Sequence, residues 1–234
     1  MRADCRSIVV LGVVGLLVLF AGAASAEWIS LDINAQEGST EYDEASGLWT
    51  IEASGADIWG NADGFRFVYQ EVSGDFEISA QILTLENTDP WAKGGVMART
   101  SATSPAAYAF SFVTFGNGTS FQWRLTDGDR AWPDGSGTAG TAPYYIKLVR
   151  EGDLFRGLRS QDGADWEENM TVGQASEIEV VMDDPITAGI ALTSHSAGAL
   201  CTAEFDNLEA TFDVQAVDPA GKLPVVWAKL KTLQ

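Results

Sequence analysis

The stretch Asp75-Phe76-Glu77-Ile78-Ser79-Ala80-Gln81-Ile82-Leu83 decides the fold class of this chain. Phe76, Ile78, Ala80 and Ile82 fall on one side of an extended backbone, with Glu77, Ser79 and Gln81 on the other. Successive side chains of a strand point to opposite faces, so this alternation predicts a strand buried on one face. The same period of two recurs along the chain. Tyr108, Phe110, Phe112 and Thr114 stand opposite Ser111 and Val113; Phe121, Trp123 and Leu125 alternate with Gln122, Arg124 and Thr126. Ile178, Val180 and Met182 alternate with Glu177, Glu179 and Val181, and a last long strand is predicted from Ala203 and Phe205 to near Phe212. Between them lie Asp-Gly pairs (Asp63-Gly64, Asp127-Gly128, Asp134-Gly135, Asp162-Gly163), which supply the positive φ angles of tight reversals. No stretch within 27–213 keeps a helical period over three turns. The expectation is an all-β, antiparallel, two-sheet protein, one domain over 27–213. Its longest irregular segment, Asp127 to Ala142, carries Trp132-Pro133, Gly135, Gly137 and Gly140 and is predicted to be an exposed loop.

The N-terminus reads differently. Arg2 and Arg6 precede an apolar run from Ile8 to Phe20, and Ala24-Ser25-Ala26 supplies small residues at the positions a signal peptidase reads. A signal peptide over 1–26, cleaved before Glu27, is favoured over an uncleaved membrane anchor. A secreted, periplasmic or cell-surface location is therefore expected, with no stable membrane insertion after cleavage. Cleavage would remove Arg2, Arg6 and Asp4 from the chain's 14 basic and 33 acidic residues, leaving a mature chain with a net charge near −20. Such a charge repels nucleic acid and favours a soluble monomer. Cys5 would leave with the leader, so Cys201 has no partner for an internal disulfide. Residues 214–234 hold Pro219, Gly221, Pro224 and three of the lysines, and are expected to be a C-terminal tail.

Chemistry is scarce. His195 is the sole histidine, which argues against multi-histidine metal sites and most proton relays. There is no GxSxG elbow, phosphate-cradling loop or dinucleotide fingerprint. Asp75 and Glu77 share one strand face about 6–7 Å apart by strand rise, so they are the candidate pair for a glycoside hydrolase. Asp75 also follows the Ser73-Gly74 turn, where Asp is favoured for local hydrogen bonding. Acidic clusters at Asp57/Asp63, Asp127/Asp129 and Asp183-Asp184 leave a structural calcium open but lack the spacing of a dedicated loop. No other cofactor is expected. The eight tryptophans are the stronger lead, because indole faces stack on the apolar C–H faces of sugars. Trp59, Trp91 and Trp132 lie among Gly, Pro and Asp, while Trp28, Trp49, Trp123 and Trp166 are expected in packing.

An ordered set of segments carries a family resemblance. It runs from Ser54-Gly55-Ala56-Asp57-Ile58-Trp59-Gly60 and Asp63-Gly64-Phe65 through Trp91-Ala92-Lys93-Gly94-Gly95-Val96-Met97-Ala98-Arg99. It continues with Tyr145 to Arg150, Ser160-Gln161-Asp162-Gly163 with Trp166, and Ala188 to His195. Over residues 28–213 this resembles the concanavalin A-like lectin/glucanase superfamily. The nearest likenesses are a domain of unknown function labelled "regulation of enolase protein 1-like" and the C-terminal sandwich domains of family 43 glycosidases. The resemblance implies a two-sheet jelly roll and brings no catalytic residue set. The Ser160–Trp166 piece is similar to the sialidase Asp-box but one residue shorter, a motif that folds a hairpin. The leading expectation is a secreted, non-catalytic carbohydrate-binding module whose partner is a polysaccharide or glycan. Its expected ligand surface is Asp57, Trp59, Trp91, Lys93, Arg99 and Trp132. The alternatives are a glycoside hydrolase and a structural or adhesive surface module.

Overall fold

The computed structural model describes residues 27–214, so the expected leader over 1–26 and the tail beyond Val214 lie outside the described residues. The strands, in chain order, are β1 (Ile29–Ile33), β2 (Ser39–Asp43), β3 (Leu48–Gly55), β4 (Ile58–Trp59), β5 (Ala62–Asp63) and β6 (Phe65–Ser73). Then come β7 (Phe76–Leu85), β8 (Lys93–Arg99), β9 (Tyr108–Thr114), β10 (Thr119–Arg124), β11 (Tyr144–Glu151) and β12 (Leu154–Ser160). The last are β13 (Glu167–Glu168), β14 (Glu177–Glu179), β15 (Ile186–Thr193), β16 (Ser196–Ala210) and β17 (Asp213–Val214). One sheet has the order β1-β6-β15-β8-β9-β10, with β17 also on β6. The other runs β13-β12-β11-β7-β16-β3-β2, with β14 also on β12, and β4-β5 is a separate hairpin. Every ladder is antiparallel. No helix among the described residues is long and apolar enough to cross a membrane.

The deciding stretch behaves as its alternation predicts. Phe76, Ile78, Ala80 and Ile82 join the core between the sheets, while Glu77 is exposed. That core also takes Val96, Ala98, Phe121, Ile146, Leu148, Ile190 and Phe205. Each of the Val, Leu, Ile and Phe side chains contributes about 1.5–3 kcal/mol by leaving water. Ile178, Val180 and Met182 do not form the full strand expected of them. Only Glu177–Glu179 pairs, on the edge of β12, and Val180 and Met182 reach the core from irregular backbone.

In the first sheet β8, β9 and β10 are buried on both faces. The outer face of that sheet carries a second apolar cluster, including Phe65, Phe67, Met97, Phe110 and Phe112, roofed by Ile58 of the β4-β5 hairpin and by Ala131. Register sets Met97 opposite Phe110 and Gly95 opposite Phe112 on that face. At Gly95 an added Cβ would lie 2.2 Å from the Ser111 carbonyl oxygen, so only glycine allows this approach of β8 to β9.

The segment after Asp127 is irregular and mostly exposed, as expected, and it also runs back along β10. Trp123 and Trp132 exchange backbone hydrogen bonds of 2.7 and 2.8 Å, and Thr119 and Thr138 exchange two of 2.8 Å. It covers the free edge of the sheet, and Ala131 is fully buried while Trp132 remains exposed.

Candidate functional site

The site is built on the outer face of β8, β9 and β10, under the β4-β5 hairpin. Gly55 starts the hairpin's approach at φ 137°, with Gly64 so close that a Cβ on Gly55 would lie 1.8 Å from the Gly64 carbonyl oxygen. Thr193 donates its hydroxyl to that same oxygen at 2.8 Å, which pins the hairpin base to β15. Asp63, at the hairpin's end, is buried with Arg99 and Arg124. Arg124 donates to both its carboxylate oxygens at 2.7 Å, and Arg99 pairs with Oδ2 at 2.9 Å. Other guanidinium contacts go to backbone carbonyls, among them Thr103, Ala106, Gly60 and Asp129, and to the Met97 sulfur. Both guanidinium groups lie over the Tyr108 ring, and burial pushes the Tyr108 hydroxyl well above its ordinary pKa. This cluster fastens the hairpin to the sheet.

Beside it lies a recess of about 420 Å³ whose lining includes Asp57, Trp59, Trp91, Lys93, Gln122 and His195. Lys93 enters from β8, almost fully buried, and donates to Asp57 Oδ1 at 2.6 Å and to the Ile58 carbonyl at 3.1 Å. Gln122 donates to that carbonyl at 2.6 Å and to the Tyr108 hydroxyl at 2.7 Å. The Lys93 ammonium also faces the Trp59 and Phe112 rings, at 5.6 and 5.4 Å from their centroids. Burial lowers the Lys93 pKa, opposed by the Asp57 carboxylate. His195, in the turn from β15 to β16, sets Nε2 3.3 Å from Asp57 Oδ2 and Nδ1 3.1 Å from Asp89 Oδ1. Contact with Asp57 raises the His195 pKa, against a smaller effect of burial. Burial would raise the Asp57 pKa, but His195 and Lys93 together hold it below its ordinary value. The result is a polar floor of fixed geometry beside two half-buried indoles.

Of the six residues expected on a ligand surface, Asp57, Trp59, Trp91 and Lys93 line this one recess. Arg99 does not reach it: the side chain is fully buried and paired with Asp63. Trp132 stands outside the lining, but the Arg130 guanidinium stacks on its ring at 4.5 Å and lies 5.9 Å from Trp59, while pairing with Asp134 at the recess. Gln122 and His195 were not expected in the site. Gln122 was legible only as the polar partner of Phe121 and Trp123, and His195 as a polar residue at a strand end.

The acidic clusters have other occupations. Asp63 is taken by two arginines, Asp57 by Lys93 and His195, and Asp184 by Arg150 at 2.5 Å. Among the described residues no group of three or more His, Cys, Asp or Glu side chains is arranged to hold a metal ion. Asp75 and Glu77 do not share a strand face as expected: Asp75 lies in the turn before β7, Glu77 in β7 of the opposite sheet, and neither lines the recess. Asp75 accepts from the Gly152 N–H at 2.7 Å, and Glu77 pairs with Lys147 at 2.9 Å. Asp162 folds a turn, accepting from Ser160, Ala164 and Asp165, each at 2.9 Å, as the Asp-box likeness implies.

A functionally unknown protein from Saccharomyces cerevisiae has a similar structure, with a TM-score of 0.60 at 17% identity, over 80% of this chain and 97% of that one. The fold is a two-sheet antiparallel jelly roll. The carbohydrate-binding module CBM66 of Bacillus subtilis aligns over 80% of this chain and 96% of its own, at 14% identity and a TM-score of 0.47. A xylan β-1,4-xylosidase from Bacillus halodurans aligns over 72% and 32%, at 14% identity and 0.39. At those TM-scores neither bears on what this jelly roll does. No family model matches the chain, and no curated protein matches it by sequence.

Proposed function

We propose that this jelly roll is a secreted, non-catalytic carbohydrate-binding module, and that the Trp59–Trp91 recess is its glycan site. The observation that carries the reading is the convergence of two indoles with Asp57, Lys93, Gln122 and His195 on one recess. Its volume lies within the ~300–1,000 Å³ of small-ligand sites. A sugar ring lays its C–H face on an indole, and fixed carboxylate, amide and ammonium groups bond its hydroxyls. The polar groups are already oriented by Tyr108, the Ile58 carbonyl and one another, so little ordering remains to oppose binding. Recognition here needs no metal, and the protein acts as a monomer without nucleic-acid partners.

A glycan array followed by calorimetry tests this reading. Trp59→Ala or Trp91→Ala is expected to weaken binding by at least about tenfold, a loss of ~1.4 kcal/mol or more. Asp75→Asn with Glu77→Gln should leave affinity unchanged, as should EDTA. Absence of binding to every polysaccharide tried, with and without calcium, would remove the proposal. N-terminal sequencing of the exported protein, expected to begin at Glu27, tests secretion.

A further inference from the structure

His195 occupies a position that its chemistry does not explain unless it holds two protons. Its backbone has φ 54°, in the left-handed region that few residues besides Gly, Asn, Asp and His enter. Each ring nitrogen faces a carboxylate from a different loop: Asp57, between β3 and β4, and Asp89, between β7 and β8. A neutral imidazole has one N–H and one lone pair. It can satisfy one of these carboxylates, and turns a lone pair toward the other at close range. Only the imidazolium donates to both. Asp89 Oδ1, the atom facing His195, also accepts the backbone N–H of Trp91 at 2.8 Å. The position of one of the two indoles is thereby tied to the charge on the imidazole.

From this juxtaposition we infer that His195 is a proton-operated latch of the recess: its imidazolium clamps the Asp57 and Asp89 loops together, and loss of the proton loosens the Asp89–Trp91 turn. This rests on the glycan reading for its biological use, but the latch itself is a property of the free protein. The charged groups facing the ring are Asp57, Asp89 and Lys93. The two carboxylates favour the proton, and the Lys93 ammonium, itself held by Asp57, opposes it. Thr88, whose hydroxyl donates to the Ser194 carbonyl at 2.6 Å, and Pro90, whose carbonyl accepts from the Gly116 N–H at 2.9 Å and from Asn117 Nδ2 at 3.0 Å, keep the β7–β8 loop attached when the latch opens. Opening is therefore a local release rather than unfolding. The site is closed and ordered on the acidic side and looser on the alkaline side, so the module holds its ligand in acidic surroundings and lets go as they become alkaline.

Because His195 is the sole histidine, its imidazole resonances are unambiguous in NMR. In the ligand-free protein its titration midpoint should lie above the ordinary imidazole value of about 6.5. Asp89→Asn should lower that midpoint. Acrylamide quenching of tryptophan emission should rise in a step at the same pH in the unaltered protein. The step should disappear in His195→Gln and in Trp91→Phe, and persist in Trp59→Phe. A midpoint at or below 6.5, a step that survives His195→Gln, or one that survives Trp91→Phe overturns the inference. Loss of the fold in a variant is read from its circular dichroism, and the NMR titration of the unaltered protein then decides alone. None of these readouts uses a glycan, so failure of the latch is distinct from failure of the binding proposal.

Discussion

At the scale of single residues, the site depends on charges that are buried in pairs. Asp63 is enclosed by two guanidinium groups and joins residues from β5, β8 and β10. Removing one partner of a buried ion pair leaves a desolvated charge, at a cost of about 3–5 kcal/mol. Asp63→Asn is therefore expected to lower unfolding stability in urea by that amount. The β4-β5 hairpin, with Asp57 and Trp59 beside it, should loosen with it. His195 and Asp57 link stability to pH in opposite directions. A folded-state pKa raised above the unfolded value, as at His195, gives stability that is complete below about 6.5 and lost as pH rises through the folded value. The lowered pKa of Asp57 gives stability that is present above about 3.8 and lost as pH falls through the folded value. The melting temperature of the unaltered protein should thus exceed that of His195→Gln at about pH 5.5–6 and converge with it at about pH 9. A difference that is constant with pH would mean that His195 stabilises by packing alone.

At the scale of elements, the strands were legible and the layers were not. Alternation marked Tyr108, Phe110 and Phe112 as a buried face, and they are buried. They look away from the sheet–sheet core, into a second apolar layer, because the β4-β5 hairpin and the segment around Ala131 cover them. Period two records that a face is covered but not by what. For the same reason Arg99 read as a surface residue: a charged side chain is seldom buried without a partner, and its partner Asp63 is distant in sequence. His195 was legible only as a strand-end residue, since its two carboxylates come from loops that the fold brings together. Trp59, Trp91, Lys93 and Asp57 were legible because aromatics and charges among turn residues mark the ends of strands, where sites form. The run after Asp127 is the exposed, irregular segment its composition implied, but its backbone bridges to β10 through Trp132 and Thr138 carry no period of two and so were not legible. An uncovered sheet edge is a template for pairing with another chain. Replacing residues 131–138 with a Gly-Ser linker should therefore expose β10 and produce concentration-dependent aggregation in light scattering. Gly95→Ala is expected to destabilise by several kcal/mol, since its Cβ would meet backbone that cannot move aside.

At the scale of the whole molecule, the balance of charge decides how the jelly roll responds to its medium. Each lysine and arginine among the described residues is in an ion pair. The acids outnumber them, with a formal charge of −19 for the full chain, so the carboxylates left over face solvent without a cation. Exposed ion pairs contribute little, about 0–1 kcal/mol each, and salt screens that small gain. Salt screens the mutual repulsion of the surplus carboxylates as well, and that repulsion extends over the Debye length, ~30 Å at 0.01 M against ~8 Å at 0.15 M. The buried pairs around Asp63 and Lys93 are screened far less, because solvent ions do not enter between them. The repulsive contribution is thus the one that salt removes. The melting temperature should rise as NaCl increases from about 0.01 to 0.15 M, and level off once the Debye length falls below the spacing of surface charges. Calcium should do this at lower concentration through its double charge, without the saturating, stoichiometric response of a built site. A stoichiometric calorimetric titration with calcium would instead identify a metal site among the carboxylates, and a melting temperature that falls with salt would mean that the surface pairs outweigh the repulsion.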